Sequence, residues 1–195
     1  LKTLPEARAA IDAIDAELQA LIARRARVAE QVREIKVASG ATGDHYRPAR
    51  EAEVLKKAME RNRELGGPLP DEVMAKLMRE IMSACLALES PLAVAYLGPE
   101  GTWTHQAAIK KFGHSVNYSA QPNFSDVFDQ VARRAVSYGV VPIENSTEGA
   151  VSHTLDLFVD SPLHICAQIL LRIENGLMAA IPRSEIKTLY SHPQV

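Results

Sequence analysis

The first 40 residues predict one long helix whose apolar seam is interrupted twice by arginine. Apolar side chains recur at alternating steps of three and four, the spacing of one helical face, at Leu4, Ile11, Ile14, Leu18, Leu21, Val28, Val32 and Ile35. Arg8 and Arg25 stand on this seam where the pattern calls for an apolar residue. A guanidinium at a helix–helix interface stays charged and needs an anion beside it. Either an acidic side chain or a bound carboxylate or phosphate can supply that anion, and a snorkelling stem is the remaining alternative.

The length of this helix predicts a partner chain. We expect it to run from about Thr3, with Pro5 tolerated in its first turn, to Ser39–Gly40. At about 1.5 Å per residue, roughly 35 residues span about 50 Å, which is too long for a compact monomer of this size. Further helices are expected over 50–64 and over 71–89, the latter capped by Asp71. An all-helical, three-helix dimerising domain is therefore predicted over residues 1–90.

Beyond the boundary at Ser90–Pro91, strands alternate with helices. Strands are expected near 92–97, 116–118, 138–143 and 164–173, and helices near 102–112, 124–134 and 152–158. This alternation predicts an α/β domain with a largely parallel sheet. The fold class is therefore multi-domain, α followed by α/β.

Composition excludes several classes of function. A formal net charge of −2 gives no field that favours nucleic acid or a membrane surface, and no run approaches the roughly 18–20 apolar residues of a membrane span. The two cysteines, Cys85 and Cys166, have no paired spacing, which favours reduced thiols and a cytoplasmic location. The six histidines show no metal-ligand spacing, so we expect no metal and no cofactor. We expect them at the surface or in loops, with His105 placed to approach a ligand.

The helical half of the sequence contains several cationic side chains at related positions but no candidate nucleophile. Arg25 and Lys36 are three helical turns apart, so they project from one face about 16 Å apart and can bracket a small dianion. Arg50 and Glu51 open the second helix, although such a pair is also typical of a solvated helix start. Glu89 ends the third helix. This pattern favours binding and electrostatic stabilisation over covalent chemistry.

Over residues 4–90, these features resemble the all-helical class of chorismate mutase. The match comprises an arginine in the first turns, Arg-Arg before an apolar run, a later lysine, and Tyr-Arg-Pro-x-Arg-Glu at 46–51. The resemblance implies that substrate carboxylates are bound by Arg8, Arg25 and Arg50, the ether oxygen by Lys36, the hydroxyl by Glu51, and further atoms by the backbone near Arg47. The family converts chorismate to prephenate by a pericyclic shift that needs no acid, base or metal.

Two further positions depart from other family members. Some members have glutamine at the position of Glu89 and serine at that of Cys85. Glutamine donates a hydrogen bond at any pH, whereas Glu89 donates only when protonated. Mutase activity is therefore expected to fall as Glu89 ionises. Cys85 would place a weak donor beside the substrate, and its type favours a buried thiol.

Two glycine-containing loops join strands to helices in the second half. They read Leu-Gly-Pro-Glu-Gly-Thr-Trp-Thr at 97–104 and Pro-Ile-Glu-Asn-Ser-Thr-Glu-Gly at 142–149. A helix start offers free N–H groups to an anion, and loops of this kind gather at the carboxyl edge of a parallel sheet. One such turn alone is as often structural as functional, but two at one edge favour a small-molecule site.

Both loops closely resemble prephenate dehydratase, with Trp103 where phenylalanine is usual. The resemblance implies two lobes like those of a periplasmic binding protein. It implies substrate-binding roles for Gly101, Thr102, Asn145, Ser146, Thr147 and Gly149. The family assigns protonation of the leaving hydroxyl to a threonine in a Thr-Arg-Phe motif, which does not occur in these 195 residues. We therefore expect the α/β domain, residues 91–195, to be incomplete at its C-terminus.

Together, the resemblances predict a bifunctional enzyme of phenylalanine biosynthesis that acts on chorismate and prephenate. Arg8 and Arg25 are about 26 Å apart along the helix, too far to hold one small substrate from one chain. If both serve one site, they come from antiparallel chains of a homodimer. One alternative is a non-catalytic prephenate-binding module with a helical dimerisation domain. Another is a mutase with an unfolded or regulatory α/β appendage.

Overall fold

Three helices form the first half of the chain in the computed structural model, which describes residues 3–40, 48–89, 92–146, 149–174 and 176–190. They are α1 (Leu4–Ala38), α2 (Pro48–Glu64) and α3 (Asp71–Glu89). The third helix packs against both of the others. The predicted three-helix arrangement is therefore confirmed, while residues 41–47, between the first two helices, lie outside the described residues.

Local capping chemistry sets the two ends of α1. Thr3 is extended, and its side chain accepts a hydrogen bond from the backbone N–H of Glu6 at 3.3 Å. Pro5 lies in the first turn, where no intrahelical N–H is required. At the other end, the Ser39 N–H donates to the carbonyl of Ile35. The predicted length of this helix is confirmed.

The apolar seam of α1 is largely uncovered within the described chain. No residue of the helix is buried, and the eight apolar seam residues are 36% to 66% exposed. An isolated helix gains little stability without burial of its apolar face. Most of α1 therefore presents a surface that suits a second helix.

The turn between α2 and α3 corrects one expectation. Asp71 is the first residue of α3 rather than a cap preceding it. Its carboxylate accepts hydrogen bonds from Asn62 and Arg63 at the end of α2. Both bonds lower the pKa of Asp71 below its usual value, and the bond from Asn62 has the larger effect. Asp71 thus ties the two helices together instead of capping one of them.

The second half is built on a three-stranded parallel sheet. Its elements are β1 (Ala93–Leu97), α4 (Trp103–Phe112), β2 (Asn117–Gln121), α5 (Phe124–Ala132) and β3 (Tyr138–Val140). The strand order is β2-β1-β3. A short antiparallel pair follows, β4 (Glu144–Asn145) with β5 (Gly149–Ala150), and then α6 (Ser152–Val159). The prediction of α/β structure with parallel strands is confirmed for these residues.

Side chains of β1 alternate between two cores. Val94 and Tyr96 pack in one cluster with Phe112 of α4, whereas Ala95 packs in another with Val127 of α5. Successive residues of a strand point to opposite faces, so α4 and α5 cover the two sides of the sheet. The central strand is consequently buried on both faces.

The prediction of a strand over residues 164–173 is wrong. These residues form no helix or strand in the structure, and most of them are exposed. A β-strand requires a neighbouring strand to receive its backbone hydrogen bonds, and no described strand pairs with this segment. It is held instead by Lys110, whose Nζ donates to the carbonyl of Leu170 at 2.6 Å, and by Ile169, which packs on the β1–α4 core. The apolar composition of this segment was therefore not enough to predict a strand.

The turn after α4 joins the two halves of the chain. The His114 N–H donates to Glu80 Oε2 at 3.0 Å, and His114 Nδ1 lies 2.9 Å from Glu80 Oε1. The Ser115 N–H donates to Ser83 Oγ at 3.3 Å. Burial alone would raise the pKa of Glu80, but the hydrogen bonds from His114 outweigh it and hold that pKa below its usual value. The turn thus fixes α4 against α3.

Gly113 is required where these halves meet. Its φ is +78°, and a Cβ on it would lie 2.6 Å from Ser83 Cβ. We expect Gly113→Ala to lower the free energy of unfolding by roughly 2–4 kcal/mol, through backbone strain and overpacking. Gly66→Ala is the matched control, because Gly66 has a φ of +62° and open space around it; that change should cost about 1 kcal/mol. Urea unfolding checks both, and equal losses would contradict the close approach.

Candidate functional site

The ends of α1 and α3 bring two predicted site residues into direct contact. Lys36 Nζ donates to Glu89 Oε1, and the two side chains are 23% and 11% exposed. In this pair the Lys36 ammonium is the donor and the Glu89 carboxyl oxygen is the acceptor. Lys36 and Glu89 thus form one charged cluster, which is partly screened from water.

Arg25 faces the same α1–α3 interface three turns before Lys36. Its guanidinium donates to the carbonyl of Ile81 at 3.4 Å. Ile81, Cys85 and Glu89 follow at steps of four and so share one face of α3. Cys85 is a buried free thiol. The structure therefore gathers Arg25, Lys36, Cys85 and Glu89 along a single interface.

Glu51 is buried near the start of α2, and among the described residues it pairs with cations of α3 and α4. Arg79 Nε of α3 lies 3.4 Å from its Oε1, and Lys111 Nζ of α4 lies 3.2 Å from its Oε2. A buried carboxylate is costly unless it is paired, so these cations hold its charge. Neither cation was among the predicted site residues. The need for a cation near Glu51 could have been inferred, but a contact between the two halves could not.

Arg8 and Arg50 are not part of this cluster. Arg8 is exposed on the N-terminal part of α1. Arg50 is also exposed, and its Nη1 donates to Glu53 Oε2 at 2.6 Å. Hydrogen bonds from Lys57 and Arg50 lower the pKa of Glu53 to about 2. Arg47, which the resemblance also implicated, lies outside the described residues.

The topology of the α/β half defines a second candidate site. From β1 the chain crosses through α4 to β2 on one side, and it returns through α5 to β3 on the other side. In such sheets the crevice at the carboxyl ends of the two strands that flank the reversal is the usual ligand site. The loops after β1 and β3, 98–102 and 141–146, lie at this edge.

Hydrogen bonds hold the first loop in one shape. Gly101 has a φ of +85°, and its N–H donates to His105 Nδ1 at 3.1 Å. Thr102 caps α4 by accepting from the His105 N–H at 3.3 Å, and its hydroxyl donates to the Leu97 carbonyl at 3.1 Å. The turn from β1 into α4 is thus bonded at both ends.

His105 corrects an expectation about the histidines. It is buried rather than at the surface, and its ring stacks on Tyr96 with centroids 4.4 Å apart. Tyr118 meets the same ring edge-on at 5.6 Å. The burial of His105 could have been predicted from the sequence, because His105 shares a helical face with Ala108 and Phe112, both of which are buried. His105 therefore supports the loop from beneath.

The second loop is folded back by the β4–β5 pair. Asn145 pairs with Gly149, whose φ of +78° suits glycine, and Ser146 is exposed between them. Thr154 of α6 is fully buried, and its hydroxyl donates to the Pro142 carbonyl at 2.8 Å. Thr147 lies outside the described residues. The loop is thus anchored at its base by a helix.

The described ranges contain neither a metal-ligand cluster nor a membrane-spanning helix. No group of three or more histidine, cysteine, aspartate or glutamate side chains among them is arranged to hold a metal ion. None of the helices in that part of the chain is long and apolar enough to cross a membrane.

The family model of prephenate dehydratase matches residues 94–195. The chain belongs to the prephenate dehydratase family. Residues 7–90 match the family model of chorismate mutase type II. The two matches divide the chain between the helical half and the α/β half. They confirm both resemblances that were drawn from the sequence motifs.

Relatives with both segments are similar over nearly the whole chain. Bifunctional chorismate mutase/prephenate dehydratase of Stutzerimonas stutzeri is 50% identical over 192 residues, which cover 96% of this chain and 52% of the relative. The protein of the same name from Aquifex aeolicus is 42% identical over 98% of this chain and 53% of the relative. The protein of the same name from Escherichia coli is 30% identical over 96% of this chain and 52% of the relative. The chain thus spans about half the length of these relatives.

One solved structure also overlaps the chain. Prephenate dehydratase from Streptococcus mutans is 35% identical, covers 36% of this chain and 37% of its own, and gives a TM-score of 0.35.

Proposed function

We propose that the helical half, residues 1–90, rearranges chorismate to prephenate. We further propose that the α/β half, residues 91–195, carries the prephenate-binding loops of a dehydratase. The observation that supports the first proposal is the convergence of Arg25, Lys36 and Glu89 on one partly screened interface. This interface supplies fixed positive charge, which suits a pericyclic reaction of a dianion because that reaction forms no covalent intermediate with the protein.

The proposed mechanism is positioning combined with charge stabilisation. Arg25 binds a substrate carboxylate and holds the folded conformer in which the reacting carbons are close. Lys36 turns from Glu89 to the ether oxygen, where negative charge develops as the carbon–oxygen bond breaks. A preorganised donor of this kind contributes about 3–4 kcal/mol to stabilising the transition state. Cys85, Arg47 and Arg50 complete the proposed substrate contacts, and Glu51 receives the substrate hydroxyl.

Dimerisation is part of this proposal. The exposed apolar seam of α1 suits a second copy lying antiparallel, and burial of the seam would stabilise the pair. In that arrangement each chain extends Arg8 into the other chain's site. A homodimer through α1 would thus bring Arg8 to a second substrate carboxylate.

For the α/β half we propose prephenate binding at the crevice between β1 and β3. The anionic substrate would meet the N-terminus of α4 at Gly101 and Thr102. The second loop would add contacts from Asn145, Ser146, Thr147 and Gly149. In a complete protein, these loops would belong to one of two lobes like those of a periplasmic binding protein. There, prephenate would lose water and carbon dioxide to give phenylpyruvate.

A product assay with this chain tests the proposal. Chorismate is added to the purified protein, and chorismate, prephenate and phenylpyruvate are separated and quantified over time. We expect chorismate to disappear and prephenate to accumulate. Measurable prephenate binding without any turnover would instead support the non-catalytic binding module. The folded sheet argues against an unfolded α/β appendage.

Glu89→Gln is expected to flatten the pH profile of the mutase reaction. Glutamine donates at every pH, whereas Glu89 donates only when protonated, so the wild-type rate should fall as Glu89 ionises. The measurement is kcat/KM for chorismate across the acidic and neutral range, for both proteins. A profile unchanged by the substitution would contradict a donor role for Glu89.

A further inference from the structure

Glu51 is the point at which charge links the helical half to the α/β half. Its two carboxylate oxygens are engaged separately, Oε1 by Arg79 at 3.4 Å and Oε2 by Lys111 at 3.2 Å. The Glu51 side chain is 8% exposed, so both contacts lie in a region with little solvent screening. Arg79 belongs to the same half as Glu51, whereas Lys111 belongs to the other half.

The position of Lys111 is itself fixed by contacts that do not involve Glu51. Lys111 lies near the end of α4, two residues before Gly113. The turn that follows is bonded to α3 through Glu80 and Ser83. Because a helix is rigid over one turn, these contacts place the backbone of Lys111 relative to the helical bundle, and its ammonium reaches Glu51 from there. The orientation of the Glu51 carboxylate therefore depends on how the α/β half is docked.

We propose that Lys111 is a positioning residue for Glu51, so that the α/β half completes the mutase site of the helical half. This inference rests on the mutase function proposed above. Lys111 does not touch substrate in this scheme. A carboxylate has about four lone-pair positions, so it can accept from more than one donor at a time. Lys111 draws Oε2 toward α4 and thereby sets the orientation of the carboxylate that is to accept from the substrate hydroxyl.

A double-mutant cycle on chorismate turnover tests the inference. Lys111→Gln is expected to raise KM about five- to tenfold while kcat stays within about twofold, since the hydroxyl contact is made in ground state and transition state alike. Lys111→Arg keeps the charge and should restore KM. Glu51→Gln combined with Lys111→Gln should be no worse than Glu51→Gln alone, because the two residues act as one unit. Lys110→Gln is the control, since its ammonium is exposed and bonds Leu170 instead.

The outcomes separate this inference from the proposed function. If the wild-type chain turns over chorismate but Lys111→Gln has an unchanged KM, the inference is overturned and the mutase function stands. Additive effects in the cycle would also overturn it, because they would show that Lys111 acts apart from Glu51. A wild-type chain without turnover would overturn both. Lys111→Met, which keeps the aliphatic stem, takes the place of Lys111→Gln in the cycle if the latter does not fold.

Discussion

Replacing Arg8 with alanine is expected to lower kcat/KM for chorismate by at least about 100-fold. An arginine that binds a carboxylate through two hydrogen bonds cannot be replaced by water without loss of both affinity and orientation. Folding should be unaffected, because Arg8 is exposed on α1 and alanine is the better helix former. Chorismate loss measures the activity, and circular dichroism measures the helix content.

The control for this experiment is Arg27→Ala. Arg27 is also exposed on α1, but it lies off the apolar seam. We expect this variant to retain the wild-type rate. Loss of activity in both variants would indicate a general effect of charge on α1. Full activity of Arg8→Ala would remove Arg8 from the site.

Lys36→Ala should lower kcat by about 100- to 1,000-fold, the usual effect of removing one preorganised donor to a developing oxyanion. The competing explanation is that Lys36 only pairs with Glu89, in which case its loss would reduce stability and leave kcat unchanged. That pair is partly exposed, and so we expect a modest change in stability. Steady-state kinetics and urea unfolding, measured together on the variant, distinguish the two explanations.

A comparison with Glu89→Gln, which keeps a hydrogen-bond donor at position 89, sharpens this test. It breaks the same ion pair without removing the ammonium. We expect it to keep much more activity than Lys36→Ala. Similar losses of kcat in the two variants would contradict a direct role for Lys36 at the ether oxygen.

Local chemistry made much of the fold predictable from sequence. Thr3 and Pro5 define the start of α1, and the apolar seam defines its length, because these signals depend only on neighbouring residues. The same holds for Thr102 at the start of α4. Strand β1 was predictable because its continuous apolar run is buried on both faces of the sheet.

Contacts between residues that are far apart in the sequence account for the features of the site that could not be predicted. Lys36 and Glu89 are 53 residues apart, and Glu51 and Lys111 are 60 apart. Such contacts depend on how whole elements dock, which no local pattern encodes. The segment 164–173 failed for a related reason, since a strand is defined by its neighbour as much as by its own residues. Whether a second chain covers the exposed seam of α1 likewise depends on docking, which no local pattern encodes.

The most direct test of a mutase site shared between chains is to mix two inactive variants. If Arg8 serves the partner's site, a dimer of one Arg8→Ala chain and one Lys36→Ala chain contains one site with both native residues. After subunit exchange of equal amounts, about one quarter of the wild-type chorismate turnover should return, because half of the dimers are mixed and each has one intact site. If each chain supplied its own Arg8, every site would lack one residue, and the mixture would remain as inactive as its components.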